Sequence, residues 1–174
     1  MSHAKNKVDW CLKKAEKELK RGGKHRGLVK TKSNLEVARK YISKAEHYLK
    51  ATAYLKRGNF SDISASTVFY SIYHCLLTIA AKFGYESRNQ ECTFALIQNL
   101  IEEGKIDFKK ELLDRTASLN LEKNKEQTSV EIREQYQYGT TLSIKDSLYN
   151  ELFELAQEII SKTKLIIEQN EKDI

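Results

Sequence analysis

Proline is absent from all 174 residues, and glycine occurs only seven times. With so few breakers the chain is free to form long uninterrupted helices, which argues against a turn-rich β fold. Cysteine is scarce as well. Cys11, Cys75 and Cys92 are scattered, odd in number and without CxxC spacing. A reducing cytoplasmic compartment accounts for three such thiols, with no disulfide framework and no zinc site expected. The first ten residues, MSHAKNKVDW, lack the apolar stretch of a secretory signal, so no leader is expected. Phosphate loops, dinucleotide turns, zinc-protease helices and hydrolase elbows are all missing. The one conceivable metal trio is His74, Cys75 and Cys92, and its adjacent members point about 100° apart on a helix. Neither a metal nor a cofactor is expected.

Charge is missing from one long stretch. Residues 63–81 contain no Asp, Glu, Lys or Arg, which approaches the length needed to span a bilayer. Ser64, Ser66, Thr67, Ser71, His74 and Thr78 interrupt it, and a helix enclosed by other helices is also apolar all round. The segment therefore reads as a buried central helix, with no membrane partner.

The charge that is present is unevenly placed. Residues 1–57 hold 17 Lys or Arg against five Asp or Glu, a net of +12, whereas residues 58–174 carry a net of −6. A basic first third points to an anionic partner, nucleic acid or an acidic protein face. Lysines decorating solvated helix faces are the plainer alternative, and both stay open.

Helical periodicity runs through most of the chain. A first helix is expected over residues 6–21, with Val8, Trp10, Cys11, Ala15 and Leu19 on a thin apolar face. Gly22 and Gly23 end it. Residues 24–30 then read as an exposed basic loop whose glycines and cations (Lys24, Arg26, Lys30) can meet a phosphate, or serve as a plain linker. Ser33 and Glu36 fit a capping box for a second helix ending at Arg57-Gly58-Asn59. Ser61 is placed to cap the central helix, which ends at Phe83-Gly84. A fourth helix carries Cys92 to Ile101 and stops at Gly104, and a shorter fifth is expected over residues 108–119. Residues 121–128 read as a polar loop and residues 130–138 as a short helical piece. Ser143 is expected to cap a long final helix. Short connections imply antiparallel neighbours. The expectation is an all-α, up-and-down bundle of four to five helices over residues 33–174, with residues 1–32 appended as an extra basic helix and loop.

Three stretches carry a family resemblance. They are Tyr54-Leu55-Lys56-Arg57-Gly58-Asn59-Phe60 closing a Tyr- and Ala-rich helix, Ser66-Thr67-Val68-Phe69-Tyr70-Ser71-Ile72-Tyr73-His74-Cys75, and the polar turn Gly84-Tyr85-Glu86-Ser87-Arg88-Asn89-Gln90-Glu91-Cys92. Together they resemble the HEPN superfamily, in particular its small stand-alone prokaryotic members, over somewhat more than half the chain. The resemblance implies a helical bundle that usually dimerises and binds or cleaves RNA or nucleotides. It also implies a possible nucleotidyltransferase partner in a toxin–antitoxin module.

Active members carry an arginine and a histidine separated by four to six residues. Arg133 is the candidate here, but Tyr138, Gly139 and Thr140 stand where the histidine is due, and all four histidines lie upstream. Metal-free RNA cleavage needs a group that exchanges protons near neutral pH, which arginine cannot do and tyrosine does poorly. Arg133 with Tyr136 and Tyr138 can still grip a phosphate and stack a base; equally, it can pair with a nearby carboxylate. His74, one turn from Tyr70, reads as a core histidine held by a hydrogen bond. The sharper possibility has it approach Arg133 and rebuild the acid–base pair.

The expected function is thus a catalytically degenerate HEPN-type module binding RNA or a nucleotide as a homodimer in the cytoplasm. The alternatives are a metal-independent RNA-cleaving toxin and a non-enzymatic subunit for a nucleotidyltransferase. The binding candidates are Arg133, Tyr136, Tyr138, Lys24, Arg26 and Lys30, and the catalytic candidates are Arg133 and His74.

Overall fold

A computed structural model describes residues 2–116, 133–134, 137–140 and 142–169. In chain order these form α1 (His3–Lys20), β1 (Leu28–Lys30), α2 (Leu35–Arg57), α3 (Ser61–Lys82), β2 (Tyr85–Ser87), α4 (Gln90–Glu102), α5 (Lys110–Thr116) and α6 (Asp146–Glu168). The fold is an all-α helical bundle with one small two-stranded sheet. The expected polar loop over 121–128, the end of the fifth helix and most of the 130–138 piece lie outside the described residues.

The uncharged stretch forms the central helix. α3 packs against α2, α6, α4 and β2, and Val68, Phe69, Ile72, Cys75, Leu76 and Ile79 on it are fully enclosed. By length and composition alone α3 could cross a membrane, but most of its surface is covered within the bundle. Such enclosure explains why it is apolar on nearly every side.

α2 and α3 form a tight antiparallel pair joined by residues 58–60, with Asn59 in the left-handed region at φ 62°, where asparagine is at home. Polar side chains stitch the pair together. The Ser71 hydroxyl donates to the Ala45 carbonyl at 2.8 Å, and the Thr52 and Thr67 hydroxyls meet at 2.7 Å. Small residues and short hydroxyls at this seam allow the two backbones to approach closely.

Residues 24–30 correct the expectation of an exposed loop. β1 pairs antiparallel with β2, Leu28 opposite Ser87 and Lys30 opposite Tyr85. His25, Gly27 and Leu28 are buried. Gly27 lies so close to α1 that a Cβ there would fall 2.4 Å from the Cys11 carbonyl oxygen. α1 packs on α4 and β1 through Ala4, Val8, Cys11 and Ala15. Val8 and Cys11 of α1 and Leu28 of β1 belong to the same core as the bundle.

The cysteines bring a second correction. Cys11 of α1 and Cys92 of α4 are joined in a disulfide, leaving Cys75 as the free thiol. Docking α1 on α4 brings together two cysteines that lie 81 residues apart in sequence.

Three caps also differ from expectation. Asn34, not Ser33, caps α2, its side chain accepting from the Val37 N–H at 2.9 Å, while Glu36 pairs with Lys40. Ser61 is the first residue of α3, and its hydroxyl accepts from the Ile144 N–H at 3.1 Å. That bond ties the approach to α6 onto α3. α6 itself begins after Lys145, without the Ser143 cap.

Candidate nucleic-acid interface

Arg133 turns inward. Its guanidinium carbon lies 4.5 Å from the centre of the Phe69 ring on α3, and its side chain is 14% exposed. One terminal nitrogen donates to the Glu134 carboxylate at 3.2 Å, while Nε is buried with no hydrogen-bond partner among the described residues. The arrangement combines a cation over an aromatic face with a neighbouring carboxylate. It therefore resembles the ion-pair reading of Arg133 more than an open phosphate grip.

His74 sits on another flank of α3. Five positions separate it from Phe69, about 140° around the helix axis. Its ring stacks on Tyr48 at 5.3 Å and on Tyr41 at 5.9 Å, and Tyr48 in turn meets Tyr70 at 5.7 Å. Among the described residues the expected hydrogen bond is not seen, and Nδ1 is buried without a partner there. Ring packing against Tyr41 and Tyr48 holds this histidine. Burial, with the Lys44 ammonium adding to it, pushes the His74 pKa below its ordinary value. The neutral ring is thereby favoured near pH 7. Among the described residues, the contacts of His74 run to α2 and those of Arg133 to Phe69 and Glu134, and no bond links the two.

Of the remaining candidates, Lys24, Arg26, Lys30 and Tyr138 are exposed, and Tyr136 lies outside the described residues. The Arg26 backbone N–H is held by the Glu18 carboxylate. Between Lys24 and Arg26, buried His25 shares a hydrogen bond with Glu86 at 3.2 Å, and Arg88 donates to the same carboxylate at 2.7 Å. Partial burial raises the Glu86 pKa, but the hydrogen bonds from Arg88 and His25 outweigh it and hold the group below the ordinary carboxylate value. Among the described residues, no group of three or more His, Cys, Asp or Glu side chains is placed to hold a metal ion.

Trp10, expected on the apolar face of α1, is instead 50% exposed. The buried positions Ala4, Val8, Cys11 and Ala15 follow a strict helical spacing, and Trp10 lies roughly 200° around from Val8. A helical wheel drawn through those four residues would have found it. The Lys7 and Lys14 ammonium groups lie 4.6 and 5.2 Å from the centre of its ring.

A scan against protein-family models finds no matching family, and no curated protein matches the chain.

Proposed function

We propose that this chain is a HEPN-type helical module that binds RNA or a nucleotide without cleaving it. The observation that carries the reading is the surface of the basic first third. Lys17, Arg21, Lys24, Arg26 and Lys30 are all exposed, and none enters an ion pair among the described residues. Uncompensated cations grouped on one segment favour a polyanionic ligand. His74 packs on Tyr41 and Tyr48 while Arg133 lies over Phe69 beside Glu134, with no bond between the two among the described residues. This supports a role in binding over one in catalysis, because acid–base cleavage needs its groups poised on the same phosphate. Tyr54, Phe60, Ile63 and Tyr70, exposed along the α2–α3 pair, support assembly with a second copy, as in a toxin–antitoxin-like system. A cytoplasmic site of action belongs to the same reading. The Cys11–Cys92 bond weighs against that part, since disulfides persist mainly in oxidising compartments.

The test is a labelled mixed-sequence RNA incubated with the purified protein and EDTA over a salt series, wild type beside Arg133→Ala. The expected result is intact RNA in both samples, with binding that falls steeply as salt rises, because each neutralised phosphate releases counterions. Cleavage by wild type that is lost in Arg133→Ala would make the chain a ribonuclease. Absence of any salt-sensitive binding would end the RNA reading and leave a protein-interaction subunit.

A further inference from the structure

The exposed flank of α1 carries a regular stripe. Lys7, Trp10, Lys14 and Lys17 follow one another at spacings of three and four residues, and Arg21, the residue capping the helix, continues the series. That spacing keeps side chains on one side of a helix, here over about 15 Å from Lys7 to Lys17. Lys7 is tied to Glu91 at 2.9 Å. Lys17 and Arg21 are exposed and make no ion pair among the described residues. Trp10 is the sole tryptophan of the chain, and half of it faces solvent in the middle of the stripe.

From this we infer that the α1 stripe is a docking track for single-stranded RNA, with an unpaired base stacked on Trp10 and the adjoining phosphates on Lys14, Lys17 and Arg21. The inference deepens the RNA-binding reading and rests on it. An exposed ammonium–aromatic contact is weak, so a lysine now resting against Trp10 can transfer to a phosphate at little cost as a base takes its place. Stacking on an exposed ring beside a line of cations is sequence-tolerant and needs an unpaired base, which a duplex does not offer.

An anionic membrane is the other polyanion such a helix could meet, and the structure argues against it. A helix that lies in a bilayer surface must bury its apolar face there. In α1 that face (Ala4, Val8, Cys11 and Ala15) is already turned into the protein, and Cys11 is bonded to Cys92. The exposed apolar side chains that remain, Trp10 and Leu19, lie on opposite sides of the helix, about 180° apart, and do not form a face that could anchor it.

The lone tryptophan makes the test direct. The full chain is titrated, in low salt with EDTA, with a 12-nucleotide oligouridylate, with a 12-base-pair RNA duplex, and with phosphatidylserine–phosphatidylcholine vesicles. Trp10 emission is followed in each titration, alongside the anisotropy of labelled RNA. Saturable quenching by the single strand is expected, with binding at least tenfold tighter than to duplex. Trp10→Ala should weaken that binding about tenfold. Lys14→Glu and Lys17→Glu should each lower the slope of log affinity against log salt by about one. Trp10→Phe, which retains a stacking face, should recover most of the affinity, so a folding defect cannot imitate the result.

Anisotropy showing RNA binding with unquenched Trp10 and an unaffected Trp10→Ala would overturn the track and leave the RNA-binding reading in place. Equal affinity for the duplex would overturn the single-strand assignment. A blue shift on vesicles without any RNA effect would make α1 a membrane-facing surface. RNA binding by neither measure would remove the underlying reading itself.

Discussion

The Lys82 ammonium, buried at the end of α3, donates to the Gln169 carbonyl at 2.7 Å and also to that of Ile166. One side chain thus closes the C-terminal end of α6, where carbonyls lack intrahelical partners and the helix dipole favours a cation. Replacing it by methionine keeps the chain length but removes the donor. Lys82→Met should cost about 2 kcal/mol in urea unfolding, in the range of hydrogen bonds to charged groups. Amide exchange should rise first in the last turn of α6.

The disulfide can be counted chemically. Complete burial pushes the Cys75 thiol up to about 12, so native protein should react with no alkylating agent near neutral pH. Unfolded without reductant it should expose one thiol, and after reduction three. Cys11→Ala with Cys92→Ala should destabilise the chain by about 3 kcal/mol, since the bond closes a long loop in the unfolded state. Three reactive thiols in unreduced, unfolded protein would show that the bond does not form.

His74 links stability to pH. In the folded chain its pKa lies below the ordinary value of 6.5, chiefly because of burial and secondarily because of Lys44. Above that value the ring is neutral in both states and contributes no pH dependence. As pH falls below it, the unfolded chain takes up a proton that the folded chain does not, and stability drops until folded His74 protonates too. His74→Phe keeps an aromatic ring between Tyr41 and Tyr48 while removing the titration. The unfolding free energy of wild type relative to this variant should be flat between pH 7 and 8 and should decline below about 6.5.

Gly27 is required by the docking of α1. A Cβ would meet the Cys11 carbonyl oxygen at 2.4 Å and Ala15 at 3.2 Å, and the nearest obstacle is backbone rather than a flexible side chain. Gly27→Ala should therefore cost about 3 kcal/mol, at the upper end of overpacking penalties. It should also loosen α1 and β1 before the α2–α3 pair, as amide exchange would report.

Much of the helical architecture could be read from the chain because its signals are local. The breaker-poor composition, the periodic apolar positions of α2 and α6 and the glycines after α1, α3 and α4 all act within a few residues. What escaped depends on partners far away in sequence. Strand β1 is three residues long, and Leu28 finds its partner only in Ser87. No periodicity can announce so short a strand. Cys11 and Cys92 pair because α1 docks on α4, which their spacing does not reveal. Ser61 has the sequence position of a local cap, whereas its hydroxyl serves Ile144. The candidate site divided in the same way. The basic character of the first third is plain from charge counts, but the exposure of Trp10 depends on which side of α1 docks on α4 and β1. The inward turn of Arg133 onto Phe69 depends on tertiary packing alone.

The small sheet bears on how the chain folds. The Thr31 N–H donates to the Gly84 carbonyl at 2.8 Å, so the backbone leaves β1, travels out along α2, returns along α3 and re-enters at its starting point. Residues 31–84 therefore make a closed excursion. Its two arms zip together from the turn at residues 58–60 through contacts between near neighbours in sequence, and the chain entropy of bringing Thr31 to Gly84 is already spent when they meet. β1 and β2 then join at little further cost. A three-residue sheet too small to nucleate anything can thus form quickly, and the α2–α3 hairpin is the natural first element in the order of assembly.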